Sequence, residues 1–227
     1  CGRTVLLHSH DDGETWSPPR VINDSPFDDR DAGLTPLGGQ SLLVSWFVSD
    51  TRVYFPDGPD DRPMPDAAAR DALARGLDLQ RQCDAVSRRF IGSWVRRSDD
   101  GGLTFAPPVR VAVTAPHGPI CLSGGRLLYL GKHFGDAIES LLSADHAPRA
   151  VASDDGGATW QPLGEVPLHE GTETANYHEP HLVELPGGRL LGMIRFQNAR
   201  GGRDMSERGF VPFSLFQTLS DDGGHTW

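Results

Sequence analysis

The chain has 227 residues, of which 37% are hydrophobic and 23% are charged, and its formal net charge is -10. This composition excludes an intrinsically disordered protein, because such chains contain too few apolar residues to form a core. The carboxylate excess disfavours nucleic acid as a partner, since a phosphate backbone requires clustered lysine and arginine. No apolar run approaches the ~20 residues of a membrane span, so none is predicted.

A short motif, Ser-x-Asp-x-Gly-x-Thr-aromatic, occurs four times along the chain. Its copies are Ser9–Trp16, Ser98–Phe105, Ser153–Trp160 and Ser220–Trp227. Ser and Asp side chains bond to the amides of tight turns, and Gly adopts the positive φ that such turns need. The motif therefore predicts turns that each join two antiparallel strands. An EF-hand loop also begins with Asp-x-Asp-Gly, but its continuation to a Glu ligand is missing here, so no metal is predicted.

Three apolar segments with a central Gly-Gly pair alternate with this motif. They are Leu34–Leu43, Ile120–Leu128 and Leu182–Leu191. Two short apolar runs around Gly-Gly are typical of a β-hairpin. One unit is therefore a hairpin, a third strand, the motif and a fourth strand, which is typical of propeller blades. We predict an all-β fold, a β-propeller of four-stranded antiparallel blades, with about three blades and fragments of others in one domain that is truncated at both ends.

The motifs start 89, 55 and 67 residues apart, whereas compact blades repeat every ~40 to 50 residues. The excess predicts long loops, above all an insertion over residues 50–88 that covers the functional face. Within it, the composition of Asp66–Gln80 favours a short helix interrupted at Gly76. Elsewhere, Cys1, Cys83 and Cys121 lack metal-ligand spacing and are odd in number, so we expect free thiols, and no motif indicates a cofactor.

Strand direction predicts which loops share a face, because successive antiparallel strands run in opposite directions. The four motifs are expected at one end of the blades, and the segments that enter the first strand or leave the second at the other end. A cluster of basic, histidine and carboxylate side chains at that end suits an anionic or polyhydroxylated ligand, since arginine can bind a carboxylate through two hydrogen bonds. The candidate residues are Arg30, Asp31, Asp50, His117, Lys132, His178, Glu179, His181 and Arg195.

Each candidate has a structural alternative. Arg30 lies between two Asp residues, where a surface ion pair would be ordinary, and the same alternative applies to Arg195. His117 before Gly-Pro and His178 beside a proline are equally consistent with histidines that stabilise turns. Lys132 ends a strand, where solvated lysines are common.

These features resemble the sialidase superfamily, whose bacterial-type members are six-bladed propellers with Asp-box turns, the family's name for the repeated motif. The resemblance is strongest at Glu179–Arg195, which is similar to the segment with the catalytic Glu and one Arg of the carboxylate-binding triad. It implies that Glu179 activates a Tyr nucleophile and that Arg30 and Arg195 bind the substrate carboxylate. It also implies an acid/base Asp in the loop after the second strand, for which Asp50 is the candidate and Asp57, Asp60 and Asp61 are the alternatives.

Two departures from the family accompany this resemblance. Asp31-Ala32 replace the usual Ile-Pro after Arg30. The third Arg and the nucleophilic Tyr have no counterpart here, although Tyr54 and Tyr177 lie near the predicted site. A Tyr nucleophile suits a sugar whose own carboxylate would repel a carboxylate nucleophile.

Three functions are consistent with these observations. The first is a sialidase-like exo-glycosidase that releases a terminal acidic sugar of the sialic acid type from a glycan. The second is a related propeller glycosidase for another sugar, suggested by Asp31 and the three histidines of the predicted site. The third is a non-catalytic Asp-box propeller that binds a glycan or a protein. Export to the periplasm or the cell exterior is expected only by analogy.

Overall fold

The computed structural model of this chain describes residues 2–133, 146–198 and 204–227. Its strands are β1 (Thr4–Leu6), β2 (Arg20–Asn23), β3 (Asp28–Gly38), β4 (Ser41–Ser49), β5 (Gly92–Ser98), β6 (Val109–Val111), β7 (Val113–Thr114), β8 (Ile120–Cys121), β9 (Leu127–His133), β10 (Arg149–Ser153), β11 (Gln161–Glu165), β12 (Tyr177–Glu184), β13 (Leu190–Gln197) and β14 (Phe213–Ser220). The α-helix α1 spans Ala67–Gln82, and short 3-10 helices span Thr51–Tyr54, Asp84–Arg89, Thr174–Asn176 and Ser206–Arg208.

These strands form antiparallel sheets, and in most pairs the two strands are also neighbours in the chain. One sheet pairs β1 with β2, a second has the order β3-β4-β5-β6, and a third has the order β12-β13-β14. In the remaining sheet the order is β11-β10-β9-β7, and β8 also pairs with β9. The predicted all-β class with antiparallel sheets is confirmed.

The described residues divide into two compact units. Unit 1 comprises residues 2–30 and 47–92, and unit 2 comprises residues 31–46, 93–133, 146–198 and 204–227. The division passes through β3 and β4. Unit 1 therefore contains the β1–β2 sheet and the helical insertion, and unit 2 contains most of the strands.

The four copies of the sequence motif, which we call the repeat turns, share one set of hydrogen bonds. In Ser153–Trp160, Asp155 accepts hydrogen bonds from the amide and hydroxyl of Thr159 at 2.9 and 2.6 Å. The amide of Gly157 donates to the Ser153 hydroxyl at 2.8 Å. Equivalent bonds recur in the other three turns. These bonds, first that from the Thr159 hydroxyl, lower the pKa of Asp155 to about 2.

Repeat turns of unit 2 also contact the sheet that precedes them. A Cβ atom on Gly157 would lie 2.8 Å from a Leu43 methyl in β4, and one on Gly224 would lie 3.4 Å from a Leu128 methyl in β9. The turn of one sheet thus packs against the second strand of the sheet before it. At Gly157 a side chain would collide with Leu43. At both positions the φ values of 97° and 95° favour glycine.

Ion pairs show that the repeat turns and the Gly-Gly hairpins lie at the same end of their sheets. Arg126, which follows one hairpin, binds Asp154 through two hydrogen bonds of 2.8 and 2.9 Å. Arg189 occupies the equivalent position in the next sheet and binds Asp221. The other ends of the same strands therefore remain for the candidate site, as strand direction predicts.

The helix in the insertion differs from its prediction, because α1 continues through Gly76 without a break. Asp66 caps it by accepting a hydrogen bond from the Ala69 amide at 2.7 Å. Leu77 and Gln80 are fully buried and anchor the helix. Burying a leucine side chain contributes about 2 kcal/mol, which offsets the cost of about 1 kcal/mol for a glycine inside a helix.

Two sequence expectations concern single features of the chain. Cys83 and Cys121 are free thiols, as expected. Cys1, the third cysteine of that prediction, lies outside the described residues. In the part of the chain that the structure describes, no helix has both the length and the apolar character needed to cross a membrane.

The repeat-turn bonds make a prediction for Asp155. Replacing Thr159 with Val removes the hydroxyl donor, so the pKa of Asp155 should rise from about 2 toward the 3.8 of a free carboxyl group. A carboxyl group with a lowered pKa stabilises the folded state above its unfolded pKa and loses that contribution as the pH falls. The variant should therefore lose less stability than the wild type between pH 4 and pH 2, although it is less stable at neutral pH.

Carboxyl-carbon NMR titration measures this pKa, and Thr159→Ser, which keeps the hydroxyl, is the control. An unchanged pKa of Asp155 in Thr159→Val would contradict the role given to the Thr hydroxyl.

Candidate functional site

Most candidate residues lie inside strands rather than in the loops where the sequence places them. Arg30 and Asp31 belong to β3, and His178 and Glu179 belong to β12. The difference arises because these strands continue, through local shifts in strand pairing, beyond the apolar residues from which their lengths were predicted. The ladder between β12 and β13, for example, shifts register between His178 and His181.

Two of these residues have an unusual backbone conformation. Asp31 and Glu179 have φ values of 50° and 47°, which non-glycine residues rarely adopt. Each lies three residues before the first leucine of its hairpin, Leu34 or Leu182. Such a conformation costs about 1–3 kcal/mol and is concentrated at functional sites. The backbone conformation near the starts of β3 and β12 is therefore a sign of a functional site that does not depend on side-chain chemistry.

Glu179 and Arg195 form the central contact of the candidate site in unit 2. The Arg195 Nη1 atom lies 2.8 Å from Glu179 Oε2. Arg195 stands in β13 opposite His178 of β12, so the two strands set the distance between the pair. Their side chains are 37% and 40% exposed, respectively, and the pair is therefore hydrated. A hydrated ion pair of this kind contributes little to stability, so its partners can exchange at small cost.

A pair of histidines lies in the same unit. The rings of His117 and His181 meet edge to face with centroids 5.2 Å apart. Burial, followed by the proximity of His117, lowers the pKa of His181. The loop of His117 is fixed against β3, because the Thr35 hydroxyl donates to the Pro119 carbonyl at 2.5 Å. His181 is therefore a neutral imidazole at neutral pH, able to donate or accept a hydrogen bond.

Lys132, in β9, has a backbone partner. Its ammonium group donates to the Thr174 carbonyl at 2.7 Å, just before β12 begins. The lysine is thus held beside the strand of Glu179, which differs from the structural alternative of a solvated lysine at a strand end.

Asp50 is buried in unit 1 and bound to an arginine. Its side chain is 0% exposed. It accepts hydrogen bonds from Arg52 Nε at 2.9 Å and Nη2 at 2.5 Å, and Asp84 binds the same Nη2. Bonding to Asp50, then to Asp84, raises the pKa of Arg52. The carboxylate expected to transfer a proton therefore faces only protein groups in this conformation.

The alternative carboxylates in the insertion are exposed. Asp57 and Asp61 lie in one turn, where the Asp57 amide donates to the Asp61 carboxylate at 2.9 Å. Asp60 forms an ion pair with Arg70 of α1. Solvent, and with it a ligand, can reach all three carboxylates.

Arg30, also in unit 1, is held mainly by aromatic rings. Its guanidinium carbon lies 5.7 Å from the ring centre of Phe47 and 5.5 Å from that of Tyr54. Its nearest carboxylate oxygen, on Asp28, is 3.8 Å away, which is beyond hydrogen-bond distance. The surface ion pair that is the alternative for Arg30 is therefore weak. Sequence reasoning missed the roles of Arg52, Tyr54 and Asp84, because their partners are up to 32 residues distant in the chain.

Tyr177 is buried among aromatic side chains. It is 1% exposed and packs edge to face against Phe196 and Phe216. Its hydroxyl accepts a hydrogen bond from the His169 amide at 2.8 Å and contacts the Thr172 hydroxyl at 2.7 Å. These contacts stabilise the chain segment before β12 and leave the hydroxyl inaccessible to a substrate.

Comparison with known proteins gives matches among solved structures, but none by sequence. No family model matches the chain, and no curated protein matches it in sequence. A protein of unknown function from Dyadobacter fermentans aligns with 99% of this chain and 56% of its own, at 21% identity and a TM-score of 0.62. The leech intramolecular trans-sialidase aligns over 99% and 45%, at 15% identity and a TM-score of 0.59. The intramolecular trans-sialidase from Ruminococcus gnavus aligns over 99% and 63%, at 14% identity and a TM-score of 0.57.

These likenesses define the class of fold. The chain spans about half of the length of these three solved structures, from 45% to 63%. Its antiparallel all-β architecture is consistent with a sialidase-like propeller fold, and the likeness supports a glycosidase-like fold. Because a fold hosts many activities, the function depends on the residues of the site.

The buried Asp50–Arg52 pair makes a prediction for stability. Arg52→Met leaves the Asp50 carboxylate buried without its cation, which should lower the free energy of unfolding by about 3 kcal/mol. Arg126→Met removes a pair whose side chains are 36% and 64% exposed, so its loss should cost less than about 1 kcal/mol. Urea denaturation of both variants measures the difference. Equal losses in the two variants would contradict the importance given to burial.

Proposed function

We propose that the protein is a sialidase-like exo-glycosidase that hydrolyses a terminal acidic sugar, of the sialic acid type, from a glycan. The proposed architecture of the whole protein is a six-bladed propeller in which the repeat turns are Asp boxes. The observation that carries the proposal is the Glu179–Arg195 pair of 2.8 Å. Its residues belong to the segment that resembles the family segment with the catalytic Glu and a carboxylate-binding Arg, and Glu179 has a positive φ of 47°.

The proposed chemistry uses the two members of this pair in turn. The substrate carboxylate competes with Glu179 for Arg195, and arginine can bind it through two parallel hydrogen bonds. Glu179, released from the ion pair, then accepts the proton of a Tyr nucleophile, so that the phenolate attacks the anomeric carbon while the bond to the leaving oxygen breaks. Water then hydrolyses the resulting tyrosyl-sugar bond, and the proton on Glu179 returns to the Tyr oxygen. Because the pair is hydrated, the exchange of partners costs little. Tyr177 is buried and is therefore not proposed as this nucleophile.

The proposal also gives roles to residues of unit 1, including residues of the insertion. Arg30 is proposed as a second ligand of the substrate carboxylate, from the resemblance and from its lack of a close acidic partner. For proton donation to the leaving oxygen, we propose Asp57, Asp60 or Asp61 ahead of Asp50, because their carboxylates are exposed. Asp50 would donate a proton only after the Thr51–Tyr54 turn opens and releases it from Arg52.

The burial of Asp50 favours a second candidate function. If none of the exposed aspartates of the insertion donates a proton, the propeller can still bind an acidic glycan through its arginines, as a non-catalytic binding protein. The His117–His181 pair suits either candidate, since imidazole nitrogens bond to sugar hydroxyls. A glycosidase specific for another sugar would use the same groups, so the substrate panel of the assay includes neutral glycosides.

Hydrolysis of fluorogenic glycosides by the protein expressed from its whole gene tests the proposal. The panel contains an α-sialoside, an arabinofuranoside and a galactoside of the same fluorophore. We expect release from the sialoside, and we expect Glu179→Gln to lower kcat by about 10²- to 10⁴-fold, because the amide cannot accept the proton.

The matched control is Glu184→Gln, since Glu184 lies at the other end of β12 and binds Ser123. Release from a neutral glycoside alone would contradict the substrate, and full activity in Glu179→Gln would contradict the mechanism. Binding of the sialoside without release would establish the second candidate.

A further inference from the structure

Among the described arginines that lie near a carboxylate, Arg30 differs in the groups that contact its guanidinium. Arg52, Arg126 and Arg189 each bond to a carboxylate at 2.5 to 2.8 Å. The Arg30 guanidinium has no hydrogen-bond acceptor that close within residues 2–133, 146–198 and 204–227. Its side chain is 36% exposed, so its N–H groups are available to a ligand.

Two aromatic rings stabilise this arginine without neutralising it. The faces of Phe47 and Tyr54 attract the cation at centroid distances of 5.7 and 5.5 Å. A carboxylate partner in their place would compete with an anionic ligand for the same N–H groups. Aromatic support therefore positions the guanidinium while preserving its charge and its hydrogen-bond donors.

The position of Tyr54 depends on a network in the insertion. Tyr54 ends the 3-10 helix Thr51–Tyr54, whose N-cap is Asp50, with the Arg52 amide donating to Asp50 at 2.9 Å. Arg52 connects this turn to Asp84 at 2.5 Å. The buried polar network thus fixes the backbone from which the Tyr54 ring extends.

A second set of bonds joins the same turn to α1. The Thr51 amide donates to Gln80 Oε1 at 3.1 Å, and Gln80 Nε2 donates to the Thr51 hydroxyl at 3.0 Å. Gln80 is 0% exposed. A fully buried and reciprocally bonded amide of this kind allows one arrangement of helix and turn.

We infer that Tyr54 is a positioning residue, placed by the insertion to hold the Arg30 guanidinium for the carboxylate of an acidic sugar; this inference rests on the proposed function. Phe47 supplies the second ring from the end of β4. The network of Asp50, Arg52 and Asp84 maintains the turn in this conformation. The insertion is then a specificity element that favours acidic over neutral ligands.

Ligand binding tests this inference with N-acetylneuraminic acid and its methyl ester, which lacks the negative charge. We expect the acid to bind more tightly than the ester to the wild type. Tyr54→Leu should weaken binding of the acid about fivefold and leave the ester unchanged, because only the acid uses the aligned cation. Tyr54→Phe, which keeps the ring, should bind like the wild type. An equal loss for both ligands, or no loss for the acid, would overturn the inference.

NMR separates this inference from the proposed function, because it requires no ligand. The Nε–Hε signal of Arg30, assigned by its absence in Arg30→Lys, should be displaced by the ring current of Tyr54. It should move away from its wild-type position in Tyr54→Leu and stay in place in Tyr54→Phe; an unchanged signal in Tyr54→Leu would overturn the positioning role. If the wild type binds neither ligand, the proposal that the substrate is a sialic acid is contradicted. The NMR result alone then decides whether Tyr54 positions Arg30.

Discussion

The hydrogen bonds from Thr to Asp inside the repeat turns are the interaction on which the organisation of unit 2 depends. They hold a tight backbone whose glycine approaches the preceding sheet, so that Gly157 contacts Leu43 and Gly224 approaches Leu128. Each turn thereby connects strands of its own sheet and packs against the neighbouring one. With these ends occupied by structural contacts, the opposite ends of β9, β12 and β13 carry the polar residues of the candidate site.

Burial divides the ion pairs of this chain into two classes. The Asp50 carboxylate has no exposed surface and bonds to Arg52, so that pair maintains a local conformation. Glu179 and Arg195 are close together but exposed, so an incoming carboxylate can replace one partner with little loss of stability. Arg30 belongs to neither class, because aromatic rings rather than a carboxylate hold it. This distinction separates groups that support the fold from groups that can bind a ligand.

The sequence predicts the strand order and the end of each sheet that carries the candidate site, because glycine turns and alternating apolar runs have strong local signals. The sequence also predicts that Glu179 and Arg195 lie on adjacent strands. It does not predict that α1 continues through Gly76, since the burial of Leu77 and Gln80 depends on tertiary contacts. For the same reason it gives no sign that Asp50 is buried against Arg52 or that Tyr54 lies beside Arg30. Glu179 and Asp31 have a backbone conformation that residue type alone does not indicate.

A crystal structure of the protein with bound N-acetylneuraminic acid tests most directly the claim that the Glu179–Arg195 pair is a carboxylate-binding centre. The account predicts that the sugar carboxylate lies within hydrogen-bond distance of the Arg195 guanidinium and that Glu179 has moved away from Nη1. A sugar carboxylate bound elsewhere, with the Glu179–Arg195 contact still at 2.8 Å, would contradict it.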